Sequence, residues 1–134
     1  MTQPSYRTRS AARERALGLL YEAEAKQVPG DELVAGLPVP PDPYTAELVC
    51  GVSAHLDDID AELARVSQRW EVARMPALDR AVLRMGTFEL RHQPEVPVAV
   101  VINEAVELAK RFSTDDSARF VNGVLSRLAA DLRP

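Results

Sequence analysis

Two histidines, one cysteine and a few clustered acids are the residues of this 134-residue chain whose types suit catalysis or metal binding. His55 and His92 lie far apart in the sequence, and neither belongs to an H-E-x-x-H pattern. Cys50 is the single cysteine, so it forms neither an internal disulfide nor a CxxC site. No base of the kind that activates a thiol nucleophile is identifiable beside it. These residues predict no catalytic site.

Two short acidic runs carry the carboxylates that hard cations prefer. One is Asp57-Asp58-x-Asp60 and the other is Asp115-Asp116. An oxygen-ligand loop needs a glycine at its turn and a distal bidentate acid, and neither accompanies the first run. That run lies inside a helical pattern and is typical of a solvated helix face, whereas the second is typical of a helix cap. We expect no metal and no other cofactor.

Positive charge is concentrated at the N-terminal end of an otherwise acidic chain, whose formal net charge is −4. The first fifteen residues hold four arginines and one acid, a balance of +3 that leaves −7 for the remainder. The four are Arg7, Arg9, Arg13 and Arg15. Arg9 and Arg13 are neighbours on a helix because they are four residues apart, and a guanidinium binds phosphates and stacks on bases. An anion-binding helix end and a solvated helix face both remain open.

Helical periodicity accounts for most of the chain, because apolar residues recur at spacings of three and four. The predicted helices are 9–27, a short one at Asp31–Gly36, 44–69 as one helix or as two with a bend near His55, 76–92, 99–112 and about 116–132. A connection at 28–43 holds five of the ten prolines, and proline removes the backbone donor that a long helix needs. The predicted class is all-α, with six or seven helices and no strand.

Two residues, one after a helical pattern and one within the last helix, are predicted to serve packing. Trp70 is expected to fill the core between segments, and Gly123 to allow close helix packing. No apolar run reaches the length of a membrane span, and the N-terminus lacks a signal-peptide core. We therefore expect a cytoplasmic protein without membrane contact.

Three stretches of the sequence carry a family pattern. The first is R-x-x-A-R-E-x-A-x-x-x-L-Y from Arg9 to Tyr21, and the second is L-D-R-A-V-L-R-M-G-x-F-E-L from Leu78 to Leu90. The third is V-P-V-A-V-V-I-N-E-A-V-E-L-A-K-R-F-S-T-D-D-S-A-R-F-V-N-G-V-L from Val96 to Leu125. Together they resemble the NusB family of bacterial transcription antitermination factors. The match covers most of the chain, apart from 28–43 and the two ends.

The resemblance implies a single helical domain over 1–134, with about seven helices in two small antiparallel bundles, about 1–70 and 71–134. It implies no enzyme activity. It implies a heterodimer with the small ribosomal protein NusE, and binding of the pair to boxA, a short single-stranded element in the leaders of ribosomal RNA transcripts. Other Nus factors then join the transcription elongation complex, and premature termination is suppressed.

Functional residues of the family carry over by position. The matches to RNA-binding positions are Arg7, Arg9, Arg13, Phe112, Asp116, Arg119 and Phe120. The matches to positions at the NusE surface are Tyr21 and Asp79. Ser10 and Ala11 replace basic residues of the most arginine-rich members, so a lower RNA affinity is expected.

Several of these side chains have a structural alternative. Phe112 and Phe120 both fall on apolar stripes, and at least one of them is expected in the core. Asp116 is expected to cap the last helix and to orient Arg119 three residues on. Asp79 is either an exposed partner contact or part of a salt bridge or cap near the start of its helix.

Two other functions compete with the antitermination factor. Similar helical domains begin certain ribosomal RNA cytosine methyltransferases, where they dock RNA for an enzyme. These 134 residues hold no cofactor-binding sheet or catalytic cysteine motif, which favours the free-standing factor. The remaining alternative is a homodimeric interaction protein whose RNA face is occluded by self-association.

Overall fold

Seven α-helices and one short 3₁₀ turn, without any strand, make up the residues that the structure describes. The structure is a computed structural model that describes residues 6–67 and 70–134, with side chains from residue 9 onward. The helices are α1 (Tyr6–Lys26), α2 (Gly30–Ala35), α3 (Pro43–Ala54), α4 (Leu56–Val66), α5 (Ala77–His92), α6 (Val98–Phe112) and α7 (Asp115–Leu132). The 3₁₀ turn (Val72–Arg74) follows α4. The all-α class predicted from the sequence is confirmed.

Helix α1 ends through a left-handed residue. Gln27 has a φ of 56°. Its N–H donates to the carbonyl oxygen of Glu24 at 3.1 Å, and the N–H of Val28 donates to that of Ala23 at 3.0 Å. These two bonds form a Schellman motif and satisfy carbonyls that a helix end leaves without partners. The helix therefore closes before it reaches Pro29.

The first of two compact units, Met1–Ala54, contains α1, α2 and α3. Helix α3 packs on α1 and α2. The Thr45 hydroxyl on α3 donates to the carbonyl oxygen of Ala12 on α1 at 3.0 Å, and both residues are buried. Because that carbonyl belongs to the α1 backbone, the bond fixes where the first turn of α3 meets α1.

The second unit, His55–Pro134, contains α4 to α7. Helix α5 packs on α4, α6 and α7, which explains why it is apolar on more than one side. A Cβ added to Gly86 of α5 would lie 2.8 Å from Cδ1 of Leu125 on α7, so glycine permits that close approach. Helix α4 groups with the helices that follow it, and the division therefore falls after Ala54, whereas the sequence places it near residue 70.

Arg133, just beyond α7, joins the C-terminal end of the chain to the end of α5. Its guanidinium donates to the carbonyl oxygens of Leu90 at 3.0 Å, Glu89 at 2.9 Å and Gln93 at 2.8 Å. The last carbonyls of a helix have no partner within the helix. A cation placed there donates hydrogen bonds to them and interacts favourably with the negative end of the helix dipole. Arg133 thus caps α5 from another element.

Gly123 on α7 does not serve close packing, and that prediction is wrong. A Cβ built there meets nothing within 4 Å. The residue faces outward because Val121, Val124 and Leu125 supply the buried face of the same helix. Among the helices described here, none is long and apolar enough to cross a membrane.

Candidate nucleic-acid interface

The first group of predicted RNA-binding residues is Arg9 and Arg13, which lie on one face of α1. Both guanidinium groups lie against the ring of Tyr44, in the first turn of α3, with their central carbons 4.4 Å and 5.6 Å from the ring centroid. A guanidinium within about 6 Å of an aromatic centroid is attracted by the electron density of the ring. The two arginines therefore help to join α1 to α3.

Arg13 and Arg9 differ in exposure. Arg13 is only 2% exposed, while Arg9 is half-buried. Both interpretations of Arg13 from the sequence, an anion-binding helix end and a solvated helix face, require an exposed side chain, and that exposure is wrong. The spacing of Arg13 places it on the face of α1 that holds Ala12, Ala16 and Leu19 in the core. Arg7 lies within α1, and its side chain falls outside the described residues.

The second group of predicted RNA residues lies where α6 passes into α7. Phe112, the last residue of α6, is 42% exposed, and the guanidinium carbon of Arg111 lies 4.9 Å from its ring centroid. Phe120 on α7 is half-buried. The expectation that at least one of these rings belongs to the core is therefore wrong. The buried face is formed by Leu108 and Ala109 at the end of α6 and by Val121 and Val124 on α7. Both phenylalanines therefore lie at the edge of the apolar face.

Asp116 orients Arg119 but does not cap α7. The cap is Thr114, whose side-chain oxygen accepts from the N–H of Ser117 at 3.0 Å. Asp116 lies in the first turn of the helix and forms an ion pair with Arg119, and both side chains are largely exposed. The predicted pairing of Asp116 with Arg119 is confirmed. The predicted capping role is wrong because α7 begins one residue earlier, at Asp115.

Asp79, predicted at the partner surface, is instead buried at 3% exposure in the first turn of α5. Its two carboxylate oxygens accept from the hydroxyls of Ser113 at 2.9 Å and Ser117 at 2.8 Å. Both serines flank the cap of α7. The expected exposure of Asp79 is therefore wrong. Its structural role is also not the predicted salt bridge or cap of its own helix, since its carboxylate is stabilised by hydroxyl donors at the start of α7. Tyr21, the other predicted partner residue, is 46% exposed on α1.

Trp70 lies at the surface instead of in the core. It is 38% exposed, so the prediction that it fills the space between segments is wrong. Its ring centroid lies 6.4 Å from that of Phe120, with 50° between the planes. A signal for this exposure exists in the sequence, since Trp70 is flanked by polar residues and lies beyond the last apolar position of its helix pattern.

The histidines and the cysteine lie in settings that do not favour catalysis. Burial, and to a lesser degree Asp31, raises the pKa of the Cys50 thiol, which disfavours the reactive thiolate. His55 and His92 stack on each other, with ring centroids 4.1 Å apart. Across residues 6–67 and 70–134, no group of three or more histidine, cysteine or acidic side chains is arranged to hold a metal ion.

Comparison with known proteins identifies what this chain is similar to. A model of the NusB family matches residues 10–130. The transcription antitermination protein NusB of Saccharopolyspora erythraea is 50% identical over 127 residues, which cover 90% of this chain and 86% of the relative. The protein of the same name from Sorangium cellulosum is 44% identical over 130 residues, with 92% and 93% covered.

Solved structures agree with the sequence relatives. T. maritima NusB superposes with a TM-score of 0.85 and 30% identity, covering 100% of this chain and 96% of that one. A chain from a crystal structure of the antitermination factors NusB and NusE in complex with dsRNA superposes with a TM-score of 0.79 and 25% identity. That match covers 92% of this chain and 96% of the other.

Proposed function

We infer the function of this chain from one premise: it belongs to the NusB family. It is a transcription antitermination factor that acts with NusE on RNA, as the relatives' name and the NusB–NusE complex with dsRNA support. The RNA that we propose is boxA, the single-stranded element of ribosomal RNA leaders. The role is binding and assembly rather than catalysis, and we place it in the cytoplasm on the transcription elongation complex.

The observation that carries the RNA proposal is the exposed ring of Phe112 beside Arg111. Single-stranded RNA is held by aromatic faces that stack on unpaired bases and by cations that neutralise phosphates. Phe112 and the half-buried Phe120 supply faces, and Arg119 supplies an exposed cation near them in the sequence. Asp116 is assigned to holding Arg119 in position through their ion pair.

The arginines of α1 are the second part of the RNA proposal. Arg9 and Arg7 are assigned to phosphate contact. Arg13 is assigned an indirect role in RNA binding, in which it helps to position Arg9. Both guanidinium groups lie against the Tyr44 ring, and Arg13 itself is only 2% exposed. The expected RNA affinity is modest, because Ser10 and Ala11 stand where basic residues would add contacts.

The NusE surface is assigned to Tyr21, whose exposed ring suits a protein contact. Asp79 is assigned to the same partner only indirectly, since its carboxylate is occupied by Ser113 and Ser117. A direct contact would require the α6–α7 connection to move, because Asp79 is only 3% exposed.

A pull-down tests this function. Immobilised chain should retain purified NusE, and the pair should retain a boxA-type RNA more strongly than a scrambled RNA of equal length. Tyr21→Ala should weaken retention of NusE without changing thermal stability. Failure to retain NusE, or equal retention of both RNAs, would overturn the assignment. Self-association of the chain that RNA does not reverse would favour the homodimer alternative.

A further inference from the structure

Trp70 is the single tryptophan of the chain, and its indole is partly presented to solvent. Its position is fixed by the backbone, because its carbonyl oxygen accepts from the Ser67 hydroxyl at 2.8 Å. One side of the ring faces Phe120, at a centroid distance of 6.4 Å and a tilt of 50°. That separation and tilt fall within the range of a favourable aromatic pair. The indole thus contacts Phe120 while part of the residue stays exposed.

Trp70 lines a cleft of about 990 Å³ within the second unit. Its apolar lining includes Ala61, Ala64 and Val72, and its polar lining includes Asp57 and Arg74. A cleft of this size is comparable with typical small-ligand sites, and an aromatic wall with a few polar groups is their usual composition. The cleft therefore has room for a group the size of a nucleotide.

Carboxylates outnumber cations in the lining of the cleft, where Arg74 lies 3.7 Å from the carboxylate of Glu71, and this balance favours an uncharged base over a phosphate inside it. Asp57 is exposed on the lining, and Asp60 is held there by a bidentate pair with Arg84, at 2.9 Å and 2.8 Å. Carboxylates repel phosphate but accept hydrogen bonds from the amino groups of bases. Arg119, adjacent to Phe120 in α7, has a largely exposed side chain for the phosphate.

We propose that Trp70 is a base-stacking residue that extends the RNA site from Phe120 into this cleft. The proposal rests on the RNA-binding function proposed above and adds a residue that the family comparison does not assign. The ligand is one unpaired base of a single-stranded RNA, stacked on the indole, with an amino-bearing edge directed to the carboxylates. Stacking tolerates any base, so Trp70 contributes affinity more than sequence discrimination.

Tryptophan fluorescence tests this directly, because emission from the single Trp70 reports on its own ring. Titration with a boxA-type RNA should quench the emission in parallel with binding, which is measured separately as the anisotropy of an end-labelled RNA. Trp70→Leu keeps an apolar side chain but removes the aromatic face, so RNA should bind about tenfold more weakly, within the range expected when one base stack is removed. Trp70→Phe should retain most of the affinity.

A purely structural role for Trp70 would give a different pattern. The leucine and phenylalanine variants would then lose thermal stability and RNA affinity together, and that result would overturn the proposal. Val39→Ala is the matched control: Val39 is an exposed apolar residue of the first unit, so its truncation should change neither measurement.

Three other outcomes would also decide the matter. If labelled RNA binds while the emission is unchanged and Trp70→Leu binds normally, the RNA function stands and the role of Trp70 is rejected. If the emission responds to NusE and not to RNA, Trp70 belongs to the protein interface, which also rejects it. If the unaltered chain binds no RNA in the anisotropy measurement, both proposals fail.

Discussion

At the residue scale, the ring of Tyr44 joins two arginines that have the same charge and different exposure. Arg13 is buried against the ring and Arg9 is half-buried. A long cationic side chain contributes packing through its methylene stem as well as charge. The structure therefore separates the effects of the two arginines: stability depends chiefly on Arg13, and RNA contact on Arg9.

Arg13→Ala should lower the free energy of unfolding by about 2 kcal/mol, since it removes a desolvated cation–π contact and leaves a cavity beside α1. Urea unfolding followed by circular dichroism measures this. Arg9→Ala should cost less, because its side chain is only half-buried. Equal decreases for the two variants would contradict the distinction drawn between them.

Arg9→Ala should weaken binding of single-stranded RNA and flatten its salt dependence. For a single strand, removing one cation that neutralises a phosphate lowers the slope of log affinity against log salt by about 0.7. Arg15→Ala is the control, because Arg15 is an exposed arginine of the same helix that has no assigned RNA role. A weaker affinity with an unchanged slope would assign Arg9 to base contact. An identical response of both variants would indicate only a general charge effect.

At the element scale, the connection between α6 and α7 is held from α5. Thr114 caps α7, while Asp79 accepts from Ser113 and Ser117 on either side of that cap. The same connection carries Phe112 and Asp116. The geometry of the proposed RNA segment therefore depends on a carboxylate that RNA cannot reach directly.

Asp79→Lys should destabilise the chain by about 3 kcal/mol or more, since it buries a cation among groups that had faced an anion. Asp79→Asn should cost much less, because an amide still offers an oxygen to one serine and an N–H to the other. Thermal unfolding measures both. Unchanged stability of the lysine variant would show that Asp79 is accessible after all, and would restore it as a direct NusE contact.

The helices were easier to predict from the sequence than the exposure of individual side chains. Apolar spacing predicted the helices to within a few residues. For 44–69 it left open one helix or two, and the structure has two, α3 and α4, which separate at His55. Periodicity did not reveal the 3₁₀ turn at Val72–Arg74, because three residues are too few to show a period.

Site residues were harder to predict because exposure at a helix end depends on what packs against it. Arg13 is buried against the ring of Tyr44, which belongs to another helix. Asp79 is buried beside Ser113 and Ser117, which lie 34 and 38 residues further along the chain. Trp70 is of a residue type that is typical of a core, yet it is 38% exposed, and the buried residues of the preceding helix are Ile59, Leu63 and Val66. The Asp116–Arg119 pair was predictable because three residues along one helix fix the contact.

At the scale of the whole molecule, the pH dependence of stability should reflect His92, which stacks on His55. Burial, together with the charges of His55 and Arg91, lowers the pKa of His92, and Asp58 opposes this only in part. The unfolded chain then binds a proton at a higher pH than the folded chain does. Stability is therefore retained above the ordinary histidine pKa of 6.5 and decreases as the pH falls below it, until the folded pKa is passed.

The difference between the unaltered chain and His92→Phe isolates this effect from the titration of other groups. Phenylalanine keeps a ring that can stack between Phe88 and His55 but has no proton to bind. The free energy of unfolding of the unaltered chain should fall more steeply with acidification from neutral pH. Parallel pH profiles for the two proteins would show that His92 does not contribute.

Transcription through a terminator downstream of a boxA sequence tests the central claim most directly. The reaction contains RNA polymerase, NusE and the other Nus factors, with or without this chain. We predict that adding the chain raises the fraction of transcripts that pass the terminator, and that scrambling boxA abolishes the rise. Arg9→Ala should raise the concentration of chain required. Unchanged read-through, or an equal rise with the scrambled sequence, would contradict the assignment of this chain as an antitermination factor acting through boxA.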